Sequence, residues 1–149
     1  MELEKEIKQS KFKNEYMKML INIIYTGNWL SSRDMRRLRP WGISPQQYNI
    51  LRILRGQHPR PARIQLLSER MLDKMSNASR LVEKLRQKGL VDRNICEHDR
   101  RAVDVCITEK GLELLKEIDA HESEWEKEFH TLTPEEAREL NRLLDKLRG

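Results

Sequence analysis

The reading of the fold turns on CEHDRRAVDVCITEKG, residues 96–111. Two runs with strand character, 91–96 and 102–108, flank His98-Asp99-Arg100-Arg101, so residues 90–108 read as a β-hairpin. Val103, Val105 and Ile107 alternate with Ala102, Asp104 and Cys106, the period of a half-buried strand. A hairpin tip needs turn formers, and of those four residues only Asp99 is a good one. Two adjacent arginines at a tip have no use in a core. Guanidinium groups there suit a narrow minor groove, whose negative potential attracts them. Asp99 beside them suits pairing with one arginine while the other inserts. The plainer alternative is a solvated turn whose charges only protect a strand edge.

Upstream lie three short helices. Ser44-Pro45-Gln46-Gln47 combines a capping serine, a proline suited to the first turn and a glutamine that completes a capping box. Tyr48, Leu51, Leu54 and Ile50 then make the inward face of a helix ending near Gly56. HPRPAR, 58–63, reads as a stiff loop, and 64–71 as a second helix with Leu67 and Met71 inward. Asp73 is the expected cap of a third helix through Lys88, whose inward stripe is Ala78, Leu81, Val82 and Leu85. Gly89 supplies its left-handed stop. Three short helices followed by a hairpin is the order of a winged helix-turn-helix, which lays its last helix in the major groove.

Longer amphipathic segments flank this module. One helix is expected over 3–25, with Ile7, Tyr16, Met19, Leu20, Ile23 and Ile24 apolar, ended by Gly27-Asn28. A basic connector over 29–41 carries Arg33, Arg36, Arg37 and Arg39. Thr108 caps a helix expected over 109–129, with Leu112, Leu115, Ile118 and Trp125. Thr133-Pro134-Glu135-Glu136 opens the last, with Leu140, Leu143, Leu144 and Leu147. A core of about 65 residues is too small to cover these stripes, so a second copy is expected against them; an internal bundle is the competing arrangement. The fold class is therefore mainly α with a small β-hairpin wing, divided as 1–41 N-terminal helix and connector, 42–108 winged helix-turn-helix, and 109–149 C-terminal dimerisation helices.

Charge agrees with this division. The net of +5 resolves into +4 over residues 1–51, +7 over 52–101 and −6 over 102–149. A basic middle beside an acidic end fits a polyanion-binding module joined to a separate structural element. No apolar run approaches the ~20 residues of a membrane span. The start MELEKEIKQSKFKNE has no apolar signal region, and two cysteines without a signal suggest a reducing cytoplasm.

On the third helix, Ser76, Asn77, Ser79, Arg80 and Lys84 face outward. Serine and asparagine can exchange hydrogen bonds with base edges, and asparagine can read adenine bidentately. Arg80 and Lys84, one turn apart, suit a base or a phosphate, and Lys74 and Arg63 suit the DNA backbone.

Asn77-Ala78-Ser79-Arg80-Leu81-Val82-Glu83-Lys84-Leu85, then Lys88-Gly89-Leu90-Val91, Asp99-Arg100-Arg101-Ala102 and Ile107-Thr108-Glu109-Lys110-Gly111 resemble the MarR family of bacterial transcription regulators over roughly residues 42–115. The wing D-R-R-A with the following hydrophobic, T-x-x-G is the most specific part. The resemblance implies a homodimeric regulator, a repressor or an activator, on a palindromic operator. Its recognition helix is implied at about 75–88, its wing arginine at Arg100 or Arg101 and its orienting acid at Asp99. It also implies a small aromatic or anionic effector between the dimer helices and the winged helix, where Tyr25, Trp29, Trp41 and the arginines of 33–39 would lie. Lys74-Met75 departs from the Ser-Arg-Pro helix starts of many members.

No catalytic motif is present: no phosphate-cradling glycine loop, metalloprotease histidine pair or nucleophile elbow. Hence no enzyme activity, cofactor, metal site or membrane partner is expected. Cys96, His98 and Cys106 lack a recognised zinc spacing, leaving metal or thiol sensing as a minor alternative. The alternative from another class is a winged helix that docks an acidic protein partner.

Overall fold

A computed structural model describes the backbone of residues 1–96 and 99–149, and the side chains of these except 95–101. In chain order it has α1 (Leu3–Glu6), α2 (Glu15–Leu38), a 3-10 turn (Arg39–Trp41), α3 (Pro45–Gln57), β1 (Ala62–Arg63), α4 (Ile64–Arg70), α5 (Ala78–Gln87), β2 (Val91–Cys96), β3 (Asp99–Ile107), α6 (Glu109–Asp119), α7 (Glu122–Lys127) and α8 (Pro134–Arg148). The three strands form one antiparallel sheet in the order β1-β3-β2. This is the mainly helical fold with a hairpin wing that the sequence predicts.

The local signals act where the sequence has them. Ser44 accepts from the Gln47 backbone N–H at 3.1 Å while the Gln47 side chain accepts from Ser44 N at 2.9 Å, closing the capping box of α3. Thr133 and Glu136 repeat it at α8. Gly89 takes φ +74° just beyond α5, the left-handed turn that an L side chain resists.

Five expectations about element boundaries are corrected. The helix predicted over 3–25 is two helices, because Lys8 turns left-handed at φ 54° and Asn14 starts a new helix by accepting from Met17 N at 3.0 Å. Gly27-Asn28 does not end α2, and the predicted connector over 29–41 is its last turns followed by the 3-10 turn. Gly42, at φ +69°, is the actual stop. The supposed loop 58–63 holds β1, whose Ala62 and Arg63 lie opposite Val105 and Asp104 of β3. The helix predicted over 109–129 breaks at Ala120–His121 into α6 and α7. β3 begins at Asp99, so Asp99, Arg100 and Arg101 have strand backbone rather than forming the turn.

One hydrophobic core holds the winged helix together. It takes Ile50, Leu51, Ile53 and Leu54 from α3, Leu67 and Met71 from α4 and its end, Ala78, Val82 and Leu85 from α5, and Val91, Val105 and Ile107 from the hairpin. Leu38 and Ile43 join from before the module, and Leu115 and Ile118 from α6. Burying such side chains is worth roughly 1.5–3 kcal/mol each. The predicted stripe of α5 holds, with Leu81 half-buried at its margin.

The junction between wing and α6 explains the T-x-x-G motif. Thr108 donates its hydroxyl to the Gly89 carbonyl at 2.7 Å and accepts from Gly111 N at 3.1 Å, while its own N–H reaches the Leu90 carbonyl at 3.1 Å. A Cβ on Gly111 would lie 2.4 Å from the Leu90 carbonyl oxygen and 2.7 Å from Ile107 Cγ1. Only glycine fits. The motif thus ties the stop of α5, the base of the wing and the start of α6 into one joint.

Candidate nucleic-acid interface

α5 is shorter than the predicted third helix, and its cap is different. Asp73 does not cap it. Its carboxylate accepts from Met75 N at 3.0 Å, and Asn77 caps α5 instead, its Oδ1 accepting from Arg80 N at 3.1 Å. The Met75 N–H, with help from Ser76 and Gln46, holds the Asp73 carboxyl below its usual range. Lys74, Ser76 and Asn77 therefore lie in the approach to α5, not in its first turn. Asn77 keeps its side-chain NH2 for a base edge, while its oxygen already accepts one of the two hydrogen bonds its lone pairs allow. Lys74 donates to the Glu69 carbonyl, which fastens the loop to the end of α4.

Ser79, Arg80 and Lys84 are exposed on the outward face of α5. The charged ends of Arg80 and Lys84 are held by no ion pair among the described residues. Arg63 is exposed at the end of β1, directly before α4. The sequence reading missed Glu83, Arg86 and Arg93. Glu83 accepts from Arg86 at 2.7 and 3.0 Å and pairs with Arg93 of β2 at 3.0 Å. The Arg86 guanidinium, helped by Arg93, holds the Glu83 carboxyl below its usual range. One carboxylate thus links α5 to the root of the wing. A glutamate between two arginines, one of them ten residues away across a turn, gives no periodic signal to find it by.

Asp99, Arg100 and Arg101 occupy β3, with Asp99 opposite Cys96 in register. Their side chains, and those of Cys96 and His98, lie outside the described residues, so the predicted aim of the wing arginines is not addressed by the geometry. Arg93 marks the strand that leads toward them.

The three aromatics expected at an effector cleft do not meet. Tyr25 and Trp29 line a pocket of about 240 Å³ with Met1, Leu3 and Glu6, where the Tyr25 hydroxyl donates to Glu6 at 2.7 Å. That bond raises the Tyr25 pKa. Trp41 lies elsewhere, its ring 5.5 Å from that of His121. A larger cleft of about 520 Å³ opens between α2, α3 and the α4–α5 loop, lined by Leu30, Arg37, Tyr48, Leu72, Asp73 and Trp125, among others. Arg37 lies with its guanidinium 5.1 Å from the Tyr48 ring and 4.8 Å from the Trp125 ring, held by Asp34 at 2.7 Å. Tyr48 is expected on the inward face of α3 and Trp125 on the apolar stripe of the 109–129 helix; both are half-buried and line this cleft.

Among the described residues, no three His, Cys, Asp or Glu side chains group as metal ligands. Burial, then Asp104 and Asp92, push the Cys106 thiol up, the reverse of what a reactive thiolate needs.

Three core-sharing short helices, a hairpin and a basic outer edge define a winged helix-turn-helix protein. Residues 41–102 match the model of the MarR family. A MarR transcription factor from Planctomyces limnophilus is similar at 28% identity and a TM-score of 0.69, covering 91% of this chain and 98% of that one. AbsC, a MarR family transcriptional regulator from Streptomyces coelicolor, gives 25% identity and 0.75, covering 93% and 96%. A MarR mutant from E. coli complexed with operator DNA shares the fold, at 24% identity and 0.76, over 93% and 99%. Residues 41–102 thus resemble the MarR family's model, and the chain as a whole is similar to MarR family transcription regulators.

Proposed function

We propose that the protein is a repressor that binds a palindromic operator as a homodimer, with α5 in the major groove and Arg100 or Arg101 in the flanking minor groove. The carrying observation is the Glu83 bridge, which links the outer face of α5 to the root of the wing in a surface bearing Arg80, Lys84, Arg86 and Arg93. Phosphates attract such a surface without regard to sequence, and the α5 approach supplies the base contacts. Ser76, Asn77 and Ser79 are the base-facing polar groups; Lys74 and Arg63 lie toward the backbone, and Asp99 orients the wing arginines.

The homodimer is supported by apolar faces that the chain leaves open. Tyr16, Leu20, Ile23 and Ile24 of α2 and Leu140, Leu143 and Leu147 of α8 are all exposed. Pairing them in a two-fold arrangement covers both faces and sets two recognition helices on the order of 34 Å apart, one turn of DNA. The effector is a small aromatic anion in the cleft at Arg37, Tyr48 and Trp125. Because Leu72 and Asp73 of the α5 approach line the same cleft, an occupant there shifts the entry to the recognition helix. The protein acts in the cytoplasm; no helix of the described residues is long and apolar enough to cross a membrane.

Fluorescence titration of duplex DNA across salt concentrations tests the reading. Arg101→Ala should weaken operator binding by on the order of tenfold, within the 1–3 kcal/mol of a specific contact. Lys84→Ala should weaken binding to all duplexes alike and flatten the salt slope by about 1. Wild-type behaviour from both variants, or preference for an acidic protein over DNA, defeats the proposal.

A further inference from the structure

Met75 is 94% exposed, and among the described large hydrophobic residues only Met1 is more so. The exposure is not that of a loose loop. Met75 N donates to the Asp73 carboxylate at 3.0 Å, Ser76 N to the Asp73 carbonyl at 3.2 Å, and Leu72 N to Asn49 Oδ1 at 2.9 Å. A turn bonded at three points thus holds an uncovered thioether two residues before Asn77, the cap of the recognition helix. Exposed cations stand on either side, Lys74 before it and Arg80 one turn into α5.

Residues at the start of a recognition helix meet base edges in the major groove. The one methyl group that groove offers is the C5-methyl of thymine, set among hydrogen-bond donors and acceptors. A methionine side chain has three rotatable bonds and a polarizable sulfur, so it can settle against a methyl without demanding one fixed geometry. We infer that Met75 is a specificity-determining residue of the DNA interface, reading a thymine methyl in each half-site by apolar contact. The inference rests on the DNA-bound arrangement proposed above and adds to it a base preference that hydrogen bonding from Ser76, Asn77 and Arg80 does not supply.

The test replaces thymine by deoxyuracil, one position at a time, in an operator obtained by selection from random duplexes. This removes the methyl and leaves every hydrogen-bonding group in place. Wild-type protein should lose about three- to fivefold in affinity at one symmetric pair of positions, the worth of one buried methyl. Met75→Gln should bind the thymine and uracil forms of that site equally, and Met75→Leu should keep the difference. Equal affinity of the wild type for uracil at every position overturns the inference, as does an unchanged thymine-to-uracil ratio in Met75→Gln. A selection that enriches no sequence is a different failure, that of the DNA-binding proposal itself.

Discussion

The winged helix and the helices that flank it are built to opposite standards. From α3 to α6 the apolar side chains close over one another, and Ile50, Leu51, Leu67, Val82, Leu85, Val91, Val105 and Leu115 reach zero exposure. In α2 only Leu38, at the end nearest the module, is buried, and α8 has no buried residue at all. Ile24 is 65% exposed and Leu143 48%, although both sit on well-formed helices. The module satisfies itself; the outer helices are half of something. Their polar groups meanwhile make specific contacts to neighbouring elements, as Lys18 does with Glu4 and Arg33 with Glu128. Those contacts fix where the open apolar faces lie, the faces that the proposed homodimer would pair.

Truncations in the two regions separate these roles. Leu85→Ala, in the closed core, should cost about 2–5 kcal/mol in denaturant unfolding. A cost below 1 kcal/mol would mean that the module is looser than its burial implies. Leu143→Asp, on the open face of α8, should leave that unfolding transition in place while sedimentation at micromolar concentration changes from dimer to monomer, because a buried carboxylate without a partner opposes association. If it stays dimeric, the contrast between the regions is misplaced.

Gly111→Ala tests the joint between them. The added Cβ meets a backbone carbonyl at 2.4 Å, so α6 must move off the wing. Overpacking of this kind costs about 1–3 kcal/mol, and the variant's melting temperature should fall accordingly. The smallest effect belongs to Glu83→Gln. Releasing Arg86 and Arg93 from their shared carboxylate should tighten binding to any duplex severalfold and steepen its salt dependence, the opposite sign to Lys84→Ala. Weaker binding by Glu83→Gln would show that the carboxylate's positioning of α5 against β2 outweighs its charge.

What could be read from the sequence was local. Ser44, Thr108 and Thr133 form caps because each sits three residues before its partner N–H, and that spacing is visible in the chain. Asp73 and Asn77 both satisfy the same capping chemistry. The choice between them depends on Asp73 already being engaged by Met75 N, a feature of the folded turn. Gly27-Asn28 has the composition of a helix stop, yet neither residue turns left-handed; Gly42 does, closing the 3-10 turn after α2. β1 is two residues long and exists only through pairing with Val105 and Asp104, some forty residues later, which no periodicity announces. Of the site, Arg80, Lys84 and Ser79 were legible from the inward stripe of α5. Arg93 and Glu83 were not, since their bond crosses from strand to helix. Trp41 is separated from Trp29 for the same reason: sequence order sets the two close, and the turn after α2 carries Trp41 to His121.

The claim that α5 and the wing grip duplex DNA as one two-fold pair is tested most directly by selecting bound sequences from a random duplex pool at fixed salt. The account predicts an inverted repeat with half-site centres about one helical turn apart. Enrichment of a lone asymmetric site, or of no sequence above background, would contradict it.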